Sequence, residues 1–276
     1  RGGWGQMGNQ LPVDPANQFF LYGGSASTSN YDITGTGTSS LQGFRPTRIG
    51  NADAKWEAVT NTNIGFDASL FENKVELVFD WYNRASTDLL FAPELPGTAG
   101  GAAPPTVNIA DMKNTGIDLQ LIYRNQWGDF GFEGNLTLTT YKNEIVKIAD
   151  NQESFPSGDS RIGPFSRNEV GQAVGAFYGY QVQGLFQNAG EITGAATQDG
   201  AEPGFFRYQD LDGNGQINAD DRTFIGNPNP DFTYGLNLAF TDKDFDLTLY
   251  GYGSQGNDIF NYNKWWTDFW PSFQGQ

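Results

Sequence analysis

The chain has 276 residues, with 32 acidic against 16 basic side chains for a formal net charge of −16, 15% aromatics, 36 glycines, and no cysteine or histidine. That balance leaves no electrostatic source for binding nucleic acid, no disulfide or thiolate, no imidazole base and no zinc site of the usual kind. Only 38% of residues are apolar and mean hydropathy is −0.50; no apolar run approaches the length of a membrane helix, about 18 positions, although alternating strands can still cross a bilayer.

In chain order, Arg1 to Met7 reads as a partial strand, followed by a long connection from 8 to about 59. From Thr62 the positions Ile64, Phe66, Ala68 and Leu70 are apolar while Asn63, Asp67 and Ser69 are polar, and Glu72, Asn73 and Lys74 make a turn. The return strand sets Val75, Leu77, Phe79 and Trp81 against Glu76, Asp80 and Tyr82. A period of two held over eight residues predicts a hairpin with one apolar face.

A second hairpin sets Ile117, Leu119, Leu121 and Tyr123 against Asp118, Gln120 and Arg124. It turns through Gln126 to Asp129 and returns with Phe130, Phe132, Leu136 and Leu138 against Glu133, Asn135, Thr137 and Thr139. A third sets Tyr234, Leu236, Leu238 and Phe240 against Thr233 and Asn237, turns through Thr241 to Asp244, and returns with Phe245, Leu247 and Leu249 against Asp246, Thr248 and Tyr250. Each strand reads as about nine to eleven residues, enough to cross a bilayer at a tilt. Between the hairpins run long connections, 85 to 114 and 144 to 230.

Strict alternation of short and long connections predicts an all-β fold, an antiparallel transmembrane β-barrel fragment with short periplasmic turns and long extracellular loops. The apolar set, including Phe66, Leu77, Phe79, Leu119, Leu136, Leu238 and Leu247, is expected to face lipid. A soluble two-sheet protein is the alternative on alternation alone. Six strands and a partial one do not close a barrel of the usual even count, and neither end carries a signal segment or a terminal aromatic residue. Residues 1–276 are therefore expected to be one part of a larger barrel, with final strands outside the chain.

Several segments also resemble the C-terminal barrel portion of the SusC/RagA family of TonB-dependent outer-membrane transporters. They are Lys55 to Asp67 (KWEAVTNTNIGFD), Asn114 to Leu121 (NTGIDLQL), Val174 to Phe186 (VGAFYGYQVQGLF), Gly226 to Leu236 (GNPNPDFTYGL) and Gly256 to Asn261 (GNDIFN). The resemblance implies a 22-stranded barrel of the cell outer membrane around an N-terminal plug absent from this chain. It also implies a SusD-like surface lipoprotein as partner, energy from TonB through the missing N-terminal region, and import of oligosaccharide or peptide without covalent chemistry. A structural or adhesive outer-membrane barrel and a secreted carbohydrate-binding β protein remain as alternatives.

The sharpest local motif is Asp210 to Asp221 (DLDGNGQINADD). Its oxygen-bearing residues Asp210, Asp212, Asn214, Gln216 (through its carbonyl), Asn218 (through water) and Asp221 follow the spacing of a calcium loop, with Gly215 at the tight turn. Position 12 is Asp where Glu is usual. The flanks GFFRY and RTFIGN lack helical pattern, so a structural Ca²⁺ is expected in a loop without flanking helices; the alternative is an ion-free cluster of Asx turns. Trp265, Trp266 and Trp270 are candidates for stacking on a ligand. No pair of carboxylates stands out as catalytic, and the chain is read as not an enzyme.

Overall fold

A computed structural model of the chain describes residues 1–11, 13–24, 29–37, 40–93, 95, 97–149, 153–158 and 163–267. Strand β1 (Gly2–Asn9) leads into a connection holding β2 (Leu21–Gly23), β3 (Asn30–Tyr31), β4 (Leu41–Gln42) and β5 (Arg45–Arg48). Then come β6 (Glu57–Leu70), β7 (Val75–Phe91), β8 (Val107–Trp127) and β9 (Phe130–Ile148). The longest connection carries β10 (Ser154–Ser157), β11 (Ser166–Glu169), β12 (Phe177–Tyr180), β13 (Val182–Leu185), helix α1 (Ala189–Thr193), β14 (Phe206–Tyr208) and β15 (Arg222–Gly226). Strands β16 (Phe232–Asp242) and β17 (Phe245–Gln255) precede a short helix α2 (Asn263–Thr267).

One seven-stranded sheet has the order β1-β6-β7-β8-β9-β16-β17, so the six expected strands and the partial one are all present. Its long strands contribute to two compact units: residues 1–64, 82–115 and 145–152, and residues 65–81, 116–144 and 153–276. Among the described residues no helix is long and apolar enough to cross a membrane.

In the second unit, the sheet has two chemically distinct faces. Antiparallel register sets Leu236 opposite Leu136, Phe240 opposite both Phe132 and Leu247, and Leu238 opposite Leu249, so these apolar side chains share one face. Phe132 and Phe240 meet at 5.2 Å between ring centres, and Phe66 stacks on Phe79 at 5.5 Å. The opposite face is knit by polar contacts. Arg124 bridges Glu76 at 2.7 Å and Glu133 at 2.9 Å, Gln120 donates to Asn135 at 3.1 Å, and Thr139 donates to Asp118 at 2.7 Å.

The short turns lie where the alternation put them. Three successive left-handed residues, Phe71, Glu72 and Asn73, reverse the chain between β6 and β7, a geometry that costs L-residues about 1–2 kcal/mol each. Gly128 and Lys243 take the left-handed positions in the other two turns. Phe71, Trp127, Phe130 and Phe245, all exposed, gather at these turns.

Strand length is the main correction. Strands β6 to β9 run for 14, 17, 21 and 19 residues, and only β16 and β17, at 11 each, match the expected span. The three connections shrink accordingly to residues 10–56, 92–106 and 149–231. Pairing continues past the alternating stretch because backbone hydrogen bonds need no apolar face. The extensions carry small and polar side chains, such as Ala85, Ser86 and Thr87, which leave no period to read. Asp88, inside β7, takes φ of 58° and donates its N–H to Asp111 at 2.9 Å.

The first unit buries a small core of Val59, Leu90, Ile109, Ala110, Ile145 and Ile148. Its connections are held by asparagines that substitute for strand neighbours. Asn17, 4% exposed, donates to the Thr106 carbonyl at 3.0 Å and accepts the Thr106 N–H at 2.8 Å. Asn108 exchanges the same pair of bonds with Lys55 at 2.9 and 2.8 Å. In the second unit the connection folds as a four-stranded sheet β10-β11-β12-β15 and a two-stranded sheet β13-β14, with Ala176 and Phe186 buried.

Candidate metal centre

The Asp210–Asp221 loop links β14 to β15, so strands flank it and not helices. It is organised by its own acids and amides. Asp210 accepts the N–H of Gly213 at 2.8 Å and of Gly215 at 2.9 Å, one on each carboxylate oxygen. Asp212 accepts the Asn214 N–H at 3.0 Å, and Asn214 Oδ1 accepts the Gln216 N–H at 2.7 Å. Gly213 and Gly215 take φ of 72° and 81°, a region L side chains enter only with strain.

The far end of the loop is a short 3₁₀ turn, Ala219–Asp221, whose N-terminal end is closed by a reciprocal pair. Asn218 Oδ1 accepts the Asp220 N–H at 2.7 Å, while Asp221 Oδ2 accepts the Asn218 N–H at 2.8 Å. Asp221 Oδ1 accepts the Leu211 N–H at 2.8 Å, so this fully buried carboxylate ties the last loop position back to the second. The N–H groups of Asn218 and Leu211 hold the Asp221 carboxyl below the usual carboxylate range, which keeps it ionised at neutral pH.

The consequence is a convergence of like charges. Carboxylate oxygens of Asp210, Asp212 and Asp221 all lie within 4.8 Å of one another. Asn214 and Asn218 stand in the same loop with their side chains bonded within it, and Gln216 joins it through its backbone N–H. Ile217, at the eighth loop position, pairs outward: its N–H donates to Thr197 at 2.8 Å, and Thr197 donates to the Gly215 carbonyl at 2.8 Å. The donor set is all oxygen, three of the six residues are anionic, and the loop closes on itself; a hard divalent cation fits that chemistry.

Thr197 carried no signal in the sequence, and Phe186, although it ends the family-like segment Val174 to Phe186, has no spacing that marks it as buried. For the stacking candidates, the backbone of Trp265 and Trp266 lies in α2. Their side chains, and all of Trp270, fall outside the described residues.

No family model matches the chain. It is 36% identical over 233 residues to TonB-dependent receptor P3 of Formosa agariphila, covering 82% of this chain and 23% of that protein. It is 25% identical over 266 residues to TonB-dependent receptor SusC of Bacteroides thetaiotaomicron, covering 94% of this chain and 25% of that one. Among solved structures, the RagAB peptide transporter superposes with a TM-score of 0.74 at 23% identity, over 97% of this chain and 28% of the matched one. The antiparallel barrel-segment fold expected from alternation therefore stands. The chain spans about a quarter of the length of the receptors it matches, and it is a stretch of SusC/RagA-like TonB-dependent receptor.

Proposed function

We propose that the chain is part of an outer-membrane barrel that imports a nutrient, an oligosaccharide or a peptide, with energy passed from TonB and with a SusD-like surface lipoprotein as partner. The observation that carries this reading is the match to TonB-dependent receptors along 82% to 94% of the chain, on a sheet with one apolar and one polar face. The apolar face meets lipid and the polar face lines the lumen; the short turns are periplasmic and the long connections extracellular. The chain does no covalent chemistry in this role. The test is made on the intact receptor. Deleting its gene should abolish uptake of one labelled oligosaccharide or peptide, and pull-down from native membranes should bring down a surface lipoprotein. Unchanged uptake across a panel of both substrate classes, with no lipoprotein recovered, would overturn the reading.

Calcium completes the proposal. Asp210, Asp212, Asn214, the Gln216 carbonyl, Asn218 through water and Asp221 hold one Ca²⁺, which relieves the repulsion among the three carboxylates and orders the outer connection. Outside the cell an affinity of about 10⁻⁴–10⁻³ M suffices. Calcium titration should protect residues 200–230 from proteolysis in the wild type, and Asp212→Ala should weaken the apparent affinity by about tenfold or more, as expected for loss of one charged ligand. Identical digestion of the wild type with calcium and with chelator would rule the ion out.

A further inference from the structure

Two motifs of the sequence, GNPNPD at 226–231 and GND at 256–258, have no part in the metal loop or in the membrane face, yet the fold brings them together. The Asn227 N–H donates to Asp258 Oδ2 at 2.8 Å, and the Asp258 N–H donates back to the Asn227 carbonyl at 2.7 Å. A third bond runs from the Asp231 N–H to the Gln255 carbonyl at 2.9 Å. Each aspartate lies against a glycine of the opposite segment. A Cβ on Gly226 would stand 2.7 Å from Asp258 Oδ2, and one on Gly256, where φ is +88°, would collide with the Asp231 carboxylate. Beyond Asp258, Phe260 stacks on Phe165 at 4.1 Å with rings 9° from parallel, and lies 6.2 Å from Phe177.

These contacts join two differently built parts. Gly226 ends β15 and pairs with Phe177 of β12, so it belongs to the β10-β11-β12-β15 sheet. Asp231 and Gln255 bracket the β16–β17 hairpin, whose eleven paired positions run from Phe232–Gln255 to Asp242–Phe245, and whose β16 also pairs along β9. The hairpin thus has partners of its own, whereas the outer sheet is short-stranded.

We propose that segments 226–231 and 255–260 form a clasp that fastens the outer sheet to the β16–β17 hairpin, with Phe260 as its apolar pin, and that opening it frees the outer sheet while the hairpin stays paired. Forces applied to the outer connection, by a bound partner or ligand, then reach the hairpin through this point, whereas the Val174 N–H bond to Asn143 at 2.7 Å reaches β9. The clasp stands on its contacts alone and does not depend on calcium or on the transported substrate.

Hydrogen exchange on the intact receptor tests it. Removing a bond to a charged acceptor raises the opening equilibrium about 10- to 100-fold. Asp258→Ala should therefore speed exchange in residues 163–226 by that factor and leave 232–255 within about twofold, a margin below one such bond. Asp258→Asn, which keeps an acceptor for Asn227, should restore most of the protection. Gly226→Ala should also loosen the outer sheet, and should add less in the Asp258→Ala background, because the contacts at 2.7 and 3.0 Å to Oδ2 and Cγ are gone and only the one at 3.1 Å to Cβ remains. Additive effects of the two substitutions, or equal acceleration of the hairpin and the outer sheet, would overturn the clasp.

Discussion

Placing arginine at Leu136 is expected to destabilise the receptor in membranes by about 2–4 kcal/mol, whereas arginine at the adjacent Asn135 is expected to cost little. Leu136 sits opposite Leu236 on the apolar face and is 38% exposed. It lies six positions after Phe130, one of the aromatic residues gathered at the turns. At about 3.4 Å per residue and a tilt near 40°, that displacement is roughly 15 Å, close to the middle of the hydrocarbon layer. A guanidinium there loses its hydration without a partner. Asn135 points the other way and accepts a bond from Gln120, so an arginine replacing it stays among polar groups. The measurement is reversible unfolding into lipid vesicles for both variants. Equal cost at the two positions would remove the assignment of the apolar face to lipid.

That the face could be assigned from sequence, and the strand lengths could not, has one physical cause. Alternation records a difference in environment between the two sides of a strand. Where the two sides differ, as from Ile117 to Arg124, each residue reports its side. In the extension of β8 above that stretch, Asn108, Asp111 and Asn114 stand beside Ile109 and Met112 with no period, and only backbone pairing marks the strand. The convergence of Asp210, Asp212 and Asp221 was legible for a different reason: the three lie within twelve successive positions, so their spacing is itself the geometry. The clasp draws on residues some thirty positions apart, and Asn17 reaches Thr106 across 89. Glycine, asparagine and aspartate are ordinary loop residues, and nothing local marks which of them find each other. GNPNPD and GND stood out as family-like segments, but their juxtaposition needed the fold.

Truncating Phe186 to alanine is expected to be the most damaging single change in the outer connection, at about 3–5 kcal/mol. Phe186 is 1% exposed, in a connection where the large apolar neighbours Val182, Leu185, Phe205 and Phe206 are each 45% exposed or more. Backbone bonds tether it on both sides: its N–H donates to the Phe205 carbonyl at 2.9 Å, and Gly204 donates to its carbonyl at 2.7 Å. The same stretch runs through Gln198, which bonds the Phe206 carbonyl and the Tyr208 N–H, and through Thr197, which pairs with the metal loop on either side of Gln216. A cavity at Phe186 thus removes the main apolar contribution from the segment that holds Asp210 to Asp221 in place. Such a loss exceeds what a polar loop region can supply from hydrogen bonds worth about 1 kcal/mol each, so residues 182–221 should melt locally while β16 and β17 stay paired. Calcium then has to order the loop as well as bind it, and its apparent affinity should fall together with proteolytic protection of 200–230. Retention of wild-type protection and calcium response in Phe186→Ala would mean that the loop is organised by its own hydrogen bonds alone.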